Sequence, residues 1–107
     1  MTAEEYIAHA EGGDCLKHAR TIAALLVAEG KQPWIGMLRD IRQMGVERFH
    51  APLIPRGVTG RNVPAWTTHY VCCCDGAAYD PLLGRREPLE SYSTALFGRE
   101  IPVTVVP

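Results

Sequence analysis

The sequence predicts an α+β fold, with helices first and a mostly antiparallel sheet after them. Three observations predict it. Residues 3 to 29 have helix-forming composition interrupted by Gly12-Gly13, and apolar positions recur every three or four residues after that interruption. From Trp34 onward, short extended candidates alternate with turn residues. Asp75-Gly76 separates two such runs and is a strong signal for a tight antiparallel hairpin.

The 107 residues are expected to form one domain, 1–107, with a modest core. An apolar fraction of 47% and a charged fraction of 21% are those of an ordinary globular chain. The net charge of -1 and the lack of a Lys/Arg stripe argue against a nucleic-acid partner. The longest strongly apolar run, Ile22 to Val27, is too short to cross a bilayer, so no membrane partner is expected. Thr2-Ala3-Glu4-Glu5 lacks the basic region of a signal peptide. The expected location is cytoplasmic, or a target-cell cytoplasm if the chain is delivered within a larger secreted protein. Of four cysteines, three are consecutive at 72 to 74. Adjacent strand residues point to opposite faces, so these three do not converge on one metal. They read as reduced thiols, and no metal or cofactor is expected.

Residues 3 to 11 form the first expected helix, with Tyr6, Ile7 and Ala10 on one side and Gly12-Gly13 as its stop. Asp14 is suited to cap a second helix running to about Glu29 and ended by Gly30. Its stripe is Cys15, Ala19, Ile22 and Leu26, which places Cys15 in the first turn, facing the core. Residues 34 to 38 are the first expected strand. A polar turn is expected around 42 to 45, an extended segment over 46 to 54, and a surface loop from Arg56 to Pro64. Residues 67 to 74 and 77 to 80 are the two arms of the hairpin, and Pro81 ends their pairing. Leu82-Leu83-Gly84 is a turn. Pro88 opens a short helix through Leu89, Tyr92, Leu96 and Phe97, closed by Gly98. Residues 101 to 106 are a last strand, placed at an edge by Pro102.

The hairpin carries the chemistry. With Asp75-Gly76 as a two-residue loop, Cys73 faces Ala78 and Val71 faces Asp80, so His69, Val71, Cys73 and Asp80 share a face. His69 and Asp80 become diagonal neighbours, with Cβ atoms roughly 5–7 Å apart. One more loop residue would turn Asp80 to the other face. Cys15 at a helix start meets unpaired N–H groups and a positive dipole end, both of which favour thiolate. An imidazole exchanges its proton and a carboxylate orients the imidazole. The candidate catalytic set is therefore Cys15, His69 and Asp80, with the Cys15 N–H as an oxyanion donor. The adjacent Asp14 would raise the thiol pKa unless it is engaged in capping. The plainer alternatives are a buried helix cysteine, a core histidine and a turn-forming aspartate before Pro81. His18, one turn after Cys15, is a rival base without an orienting acid. Cys15, His18 and His50 are a weaker zinc alternative. Trp66 and Cys73 are the candidate substrate-binding residues, with ordinary packing as the alternative for both.

Taken together, Gly-Asp-Cys15 opening a long helix, Thr-His69-Tyr-Val, Asp75-Gly76 and Tyr-Asp80-Pro81 resemble the papain-like superfamily in its compact bacterial forms. These include transglutaminase-like proteins, papain-fold toxin domains and double-glycine leader peptidases. Asp-Pro-Leu-Leu-Gly followed by a short helix is similar to the stretch after the Asp in several of them. The resemblance covers residues 12 to 97. It implies a papain-like minimal core, with the nucleophile helix packed on an antiparallel sheet. It also implies a thiol hydrolase or acyltransferase acting on protein amides through a thioester, of protease, glutamine deamidase or transglutaminase type. The short length is more like a toxin or effector domain, with a protein or peptide substrate and an immunity protein as partners. Residues 1 to 14 contain neither the Gln that papain-like peptidases place before the nucleophile nor an Asn. That departure, with Asp14, motivates the alternative of a catalytically inactive papain-fold binding or adaptor module.

Overall fold

Side-chain caps set both helix starts in the N-terminal segment. A computed structural model describes residues 1–11, 13–56 and 66–106. Helix α1 spans Ala3–His9, and its cap is reciprocal: the Thr2 hydroxyl accepts the Glu5 N–H while the Glu5 carboxylate accepts the Thr2 N–H. The helix stops earlier than expected. Ala10 is already extended, so the break precedes the glycine pair, of which Gly12 lies outside the described residues. Only Ala3 and Ile7 of α1 are buried, and the helix ends within a turn of Ile7, its last anchor. Helix α2 spans Cys15–Ala28, and Asp14 caps it by accepting the Lys17 N–H at 3.1 Å. Ala19, Ile22 and Leu26 are buried along one stripe, as the spacing predicts.

Seven strands and one helix follow among the described residues: β1 (Trp34–Leu38), β2 (Asp40–Met44), β3 (Glu47–Ala51), β4 (His69–Cys74), β5 (Ala77–Asp80), β6 (Arg85–Pro88), α3 (Leu89–Phe97) and β7 (Val103–Val105). Five strands form one sheet in the order β6-β5-β4-β1-β7, with every neighbour antiparallel. The fold is thus α+β, with three helices around an antiparallel sheet. Strand β4 is central, and its alternation divides the core. Cys72 and Cys74, with Tyr79, pack against Ala19, Ile22 and Leu26 of α2 and Ala3 and Ile7 of α1. Val71, Cys73 and Ala78 pack on the other face against Tyr92, Leu96 and Phe97 of α3. Apolar side chains on two faces hold one strand, so β4 is the best-anchored element of the sheet.

Two strands were not legible in the sequence. Residues 40 to 44 pair with 47 to 51 as a separate ribbon around Gly45-Val46, where a polar turn was expected over 42 to 45. The ribbon is exposed on both faces for most of its length, so it has no buried side to impose an apolar alternation. It is tethered at its base, where Asp40 accepts from Arg99 at 2.8 Å. Strand β6 is the other. Arg85-Arg86-Glu87-Pro88 is polar because it forms a sheet edge, where Pro88 is tolerated. Strand β7 is the opposite edge, as Pro102 suggests, but shorter than expected. Residues 57 to 64 of the expected surface loop lie outside the described residues. No helix among the described residues is long and apolar enough to cross a membrane.

The hairpin register is the one derived from the two-residue loop. Cys74 pairs with Ala77, Cys73 with Ala78 and Cys72 with Tyr79. Asp75 and Gly76 have φ of 52° and 75°, the two positive values of a type I′ turn. This register places Asp80 opposite Val71, on the face that His69 shares. Gly76→Ala forces a Cβ into the left-handed region and is expected to cost about 1 kcal/mol. A lowered urea midpoint at unchanged slope is the measurement that checks it.

Candidate active site

Three elements converge at one end of β4. His69 is its first residue, Asp80 is the last residue of β5, and Cys15 is the first residue of α2. All three line one cavity, together with His18, Trp66 and Leu82. His69 is fully buried and Asp80 is 3% exposed. The imidazole Nε2 and the Asp80 Oδ2 are 2.8 Å apart. Asp80 also accepts the Tyr92 hydroxyl at 2.5 Å and the Leu82 N–H at 2.9 Å. The His69 ring is held on its face by Trp66, with centroids 5.1 Å apart and planes at 22°. Phe97 meets it edge-on at 5.6 Å. The ring is therefore fixed by packing as well as by its acid.

The other ring nitrogen is free. His69 Nδ1 is the one buried side-chain polar atom without a hydrogen-bond partner among the described residues. Its electrostatic neighbour is the Cys15 thiol, and each group shifts the other. Burial raises the thiol pKa, but His69 and the Tyr70 and Leu16 backbones outweigh it, so Cys15 lies below its ordinary value. Burial alone would lower His69, but Asp80 and Cys15 overcome it and raise the imidazole to about 9. Burial would raise Asp80, yet the His69 interaction, the Tyr92 hydroxyl and the Leu82 N–H hold it below the usual carboxylate range. Tyr92 is pushed well up by burial and by Asp80, so it remains a donor. All three shifts favour a thiolate beside an imidazolium, a nucleophile with a proton donor at its side.

The remaining thiols differ. Burial pushes Cys72 and Cys73 up to about 12 and also raises Cys74. Cys73, expected to line the site, does not line the cavity. It shares the His69 face but lies farther along β4, fully buried in the cluster that α3 covers. Trp66 does line the cavity, and it also packs on His69.

One further expectation changes. The Cys15 N–H, taken as an oxyanion donor, is already engaged, donating to the Gly13 carbonyl at 3.1 Å. Asp14, which would raise the thiol pKa unless engaged in capping, is so engaged: its carboxylate accepts the Lys17 N–H, and Cys15 lies below its ordinary value. His18 lines the cavity beside Cys15, but its Nδ1 meets the Tyr6 hydroxyl at 2.7 Å and no carboxylate. His50 sits on the exposed ribbon and lines no part of this cavity. No group of three or more His, Cys, Asp or Glu among the described residues is placed to hold a metal. Sequence reasoning missed Tyr92 as a partner of Asp80, because it identified that residue only as part of an apolar helix face. It also missed the Tyr6–His18 pair, which requires α1 to fold back on α2.

Set against protein-family models, curated proteins and solved structures, the chain matches none of them.

Iodoacetamide is expected to label Cys15 alone in the native protein and all four cysteines in denaturant, read by peptide mass spectrometry. Labelling of Cys73 at the same native rate would contradict the burial argument. His69 is expected to stay protonated at neutral pH and to lose its proton near pH 9 in an NMR titration. Asp80→Asn removes the charge that favours imidazolium, so the midpoint must fall toward or below the ordinary 6.5.

Proposed function

We propose that the protein is a cysteine-dependent amide hydrolase or acyltransferase with a papain-like core, acting on protein or peptide substrates. One observation carries the reading. The Asp80–His69 pair is closed at 2.8 Å on one ring nitrogen, and the other ring nitrogen is left without a partner beside a thiol of lowered pKa. A histidine serving only the core would have both nitrogens satisfied. The resemblance of the hairpin and helix-start motifs to papain-like proteins supports the same reading.

The chemistry follows from the three side chains. The Cys15 thiolate attacks a carboxamide or peptide carbonyl, forming a C–S bond and moving the carbonyl pair onto oxygen. The oxyanion then re-forms the C=O bond and expels the amine, which takes the proton from His69 Nδ1. Asp80 keeps the ring oriented and stabilises its charge. Water, deprotonated by His69, hydrolyses the thioester; an amine in its place gives transamidation. Hydrolysis of a side-chain carboxamide is deamidation, and hydrolysis of a backbone amide is proteolysis. The small size of the chain and its motifs fit a bacterial toxin or effector domain. The engaged Cys15 N–H favours the second reading, a catalytically inactive papain-fold binding module. Asp14 no longer supports that reading, since it is engaged in capping.

p-Nitrophenyl acetate separates the two. An enzyme acetylates Cys15 faster than free cysteine reacts at the same pH, and then turns the thioester over. Cys15→Ala should abolish both steps, and His69→Ala should slow them on the order of a hundredfold. A wild-type rate no greater than that of free cysteine would falsify the enzyme reading. The toxin reading further expects that expression of the wild-type chain arrests bacterial growth and that Cys15→Ala relieves the arrest.

A further inference from the structure

We propose that His18, oriented by Tyr6, supplies the oxyanion donor of this site through its Nε2–H; this rests on Cys15 being an acylating nucleophile. A helix start normally offers backbone donors. The first four N–H groups of α2 have no partner within the helix. Here three of the four are already directed elsewhere. Cys15 N–H donates to the Gly13 carbonyl and Lys17 N–H to the Asp14 carboxylate, both at 3.1 Å, and His18 N–H donates to the Asp14 carbonyl at 3.0 Å. The Leu16 backbone interacts with the Cys15 sulfur itself. Nor do residues 1 to 14 contain a Gln or Asn to reach back over the nucleophile. The helix start is therefore short of donors for a tetrahedral intermediate on Cys15, and a side chain can supply one.

His18 meets that need. It lies three residues after Cys15, hence beside it on the helix surface, and it lines the same cavity. Its Nδ1 is 2.7 Å from the Tyr6 hydroxyl, and the two rings meet edge to face with centroids 5.7 Å apart. A phenol that donates to Nδ1 leaves the imidazole proton on Nε2. Nε2 makes no hydrogen bond among the described residues and is the atom left to meet a ligand. Of the other polar rings of the cavity, Trp66 is stacked on His69. During acylation, the thiolate lone pair forms the C–S bond and the carbonyl pair moves to oxygen. The Nε2–H hydrogen-bonds that oxygen and keeps its proton, and collapse expels the leaving group. His18 is thus a catalytic residue, and Tyr6 is a positioning residue that acts through it.

Two thiol probes test the assignment. Acetylation by p-nitrophenyl acetate develops an oxyanion; exchange with 2,2′-dipyridyl disulfide does not. His18→Ala is expected to slow acetylation on the order of a hundredfold while leaving disulfide exchange unchanged. His18→Gln, which keeps an N–H donor, should recover part of the loss. Tyr6→Phe should slow acetylation less and shift the ¹⁵N resonances of His18 away from a single Nε2–H tautomer. Unchanged acetylation in His18→Ala would overturn the proposal. An equal loss with both probes would also overturn it, because His18 would then be acting on the thiol rather than on the oxyanion. Should His18→Ala fail to fold, the Gln and Tyr6→Phe variants read the same ratio of probes. Wild-type Cys15 that acetylates no faster than free cysteine would instead overturn the nucleophile itself.

Discussion

A carboxylate with 3% of its surface exposed remains ionised only if fixed donors replace the water it has lost. Asp80 has three, and each comes from a different part of the chain. His69 begins β4, Tyr92 belongs to α3, and the Leu82 N–H lies in the turn that follows β5. Satisfying this one group therefore fixes the hairpin register, the seat of α3 and the path of the chain after Asp80. It also determines which nitrogen of His69 is tied and which is left facing Cys15. Losing any one donor leaves part of a buried charge uncompensated, which costs more than an ordinary hydrogen bond.

The central strand carries this arrangement because it is packed on both faces. Alternation along β4 sends Cys72 and Cys74 toward α2 and Cys73 toward α3. All three thiols are buried among apolar side chains, and their pKa values rise for that reason. Cys15 has the same side chain in a different place. It sits at a helix start, half-buried, with an imidazole beside it, and its pKa falls. Four chemically identical residues thus separate into three buried packing groups and one half-buried thiol of lowered pKa by position alone.

The two histidines of the cavity show how a partner assigns a role. Each has one nitrogen tied and one free. A carboxylate on His69 Nε2 favours the charged ring and makes Nδ1 a site of proton exchange. A phenol on His18 Nδ1 is neutral and favours a ring that donates from Nε2. Helix α1 contributes to the cavity through Tyr6, although it holds no member of the proposed catalytic set.

The sequence by itself determined what depends on neighbours along the chain. Asp14 as a cap, the α2 stripe, the positive-φ turn at Asp75-Gly76 and the shared face of His69 and Asp80 all follow from local geometry, which has fixed periods. Strand β2 of the exposed ribbon and the β6 edge were not legible, because strands without a buried face carry no alternation. The roles of Tyr92, Tyr6 and the Cys15 N–H were not legible either. Each depends on a contact between segments that only packing brings together: α3 over the hairpin, α1 over α2, and the Gly13 carbonyl turned back toward the helix start. Tertiary structure also excluded Cys73 from the cavity, since a face shared along a strand passes from the open end of the sheet into the core. The proposed trio of Cys15, His69 and Asp80 could thus be singled out in the sequence, but the donors around it could be assigned only once the layers were assembled.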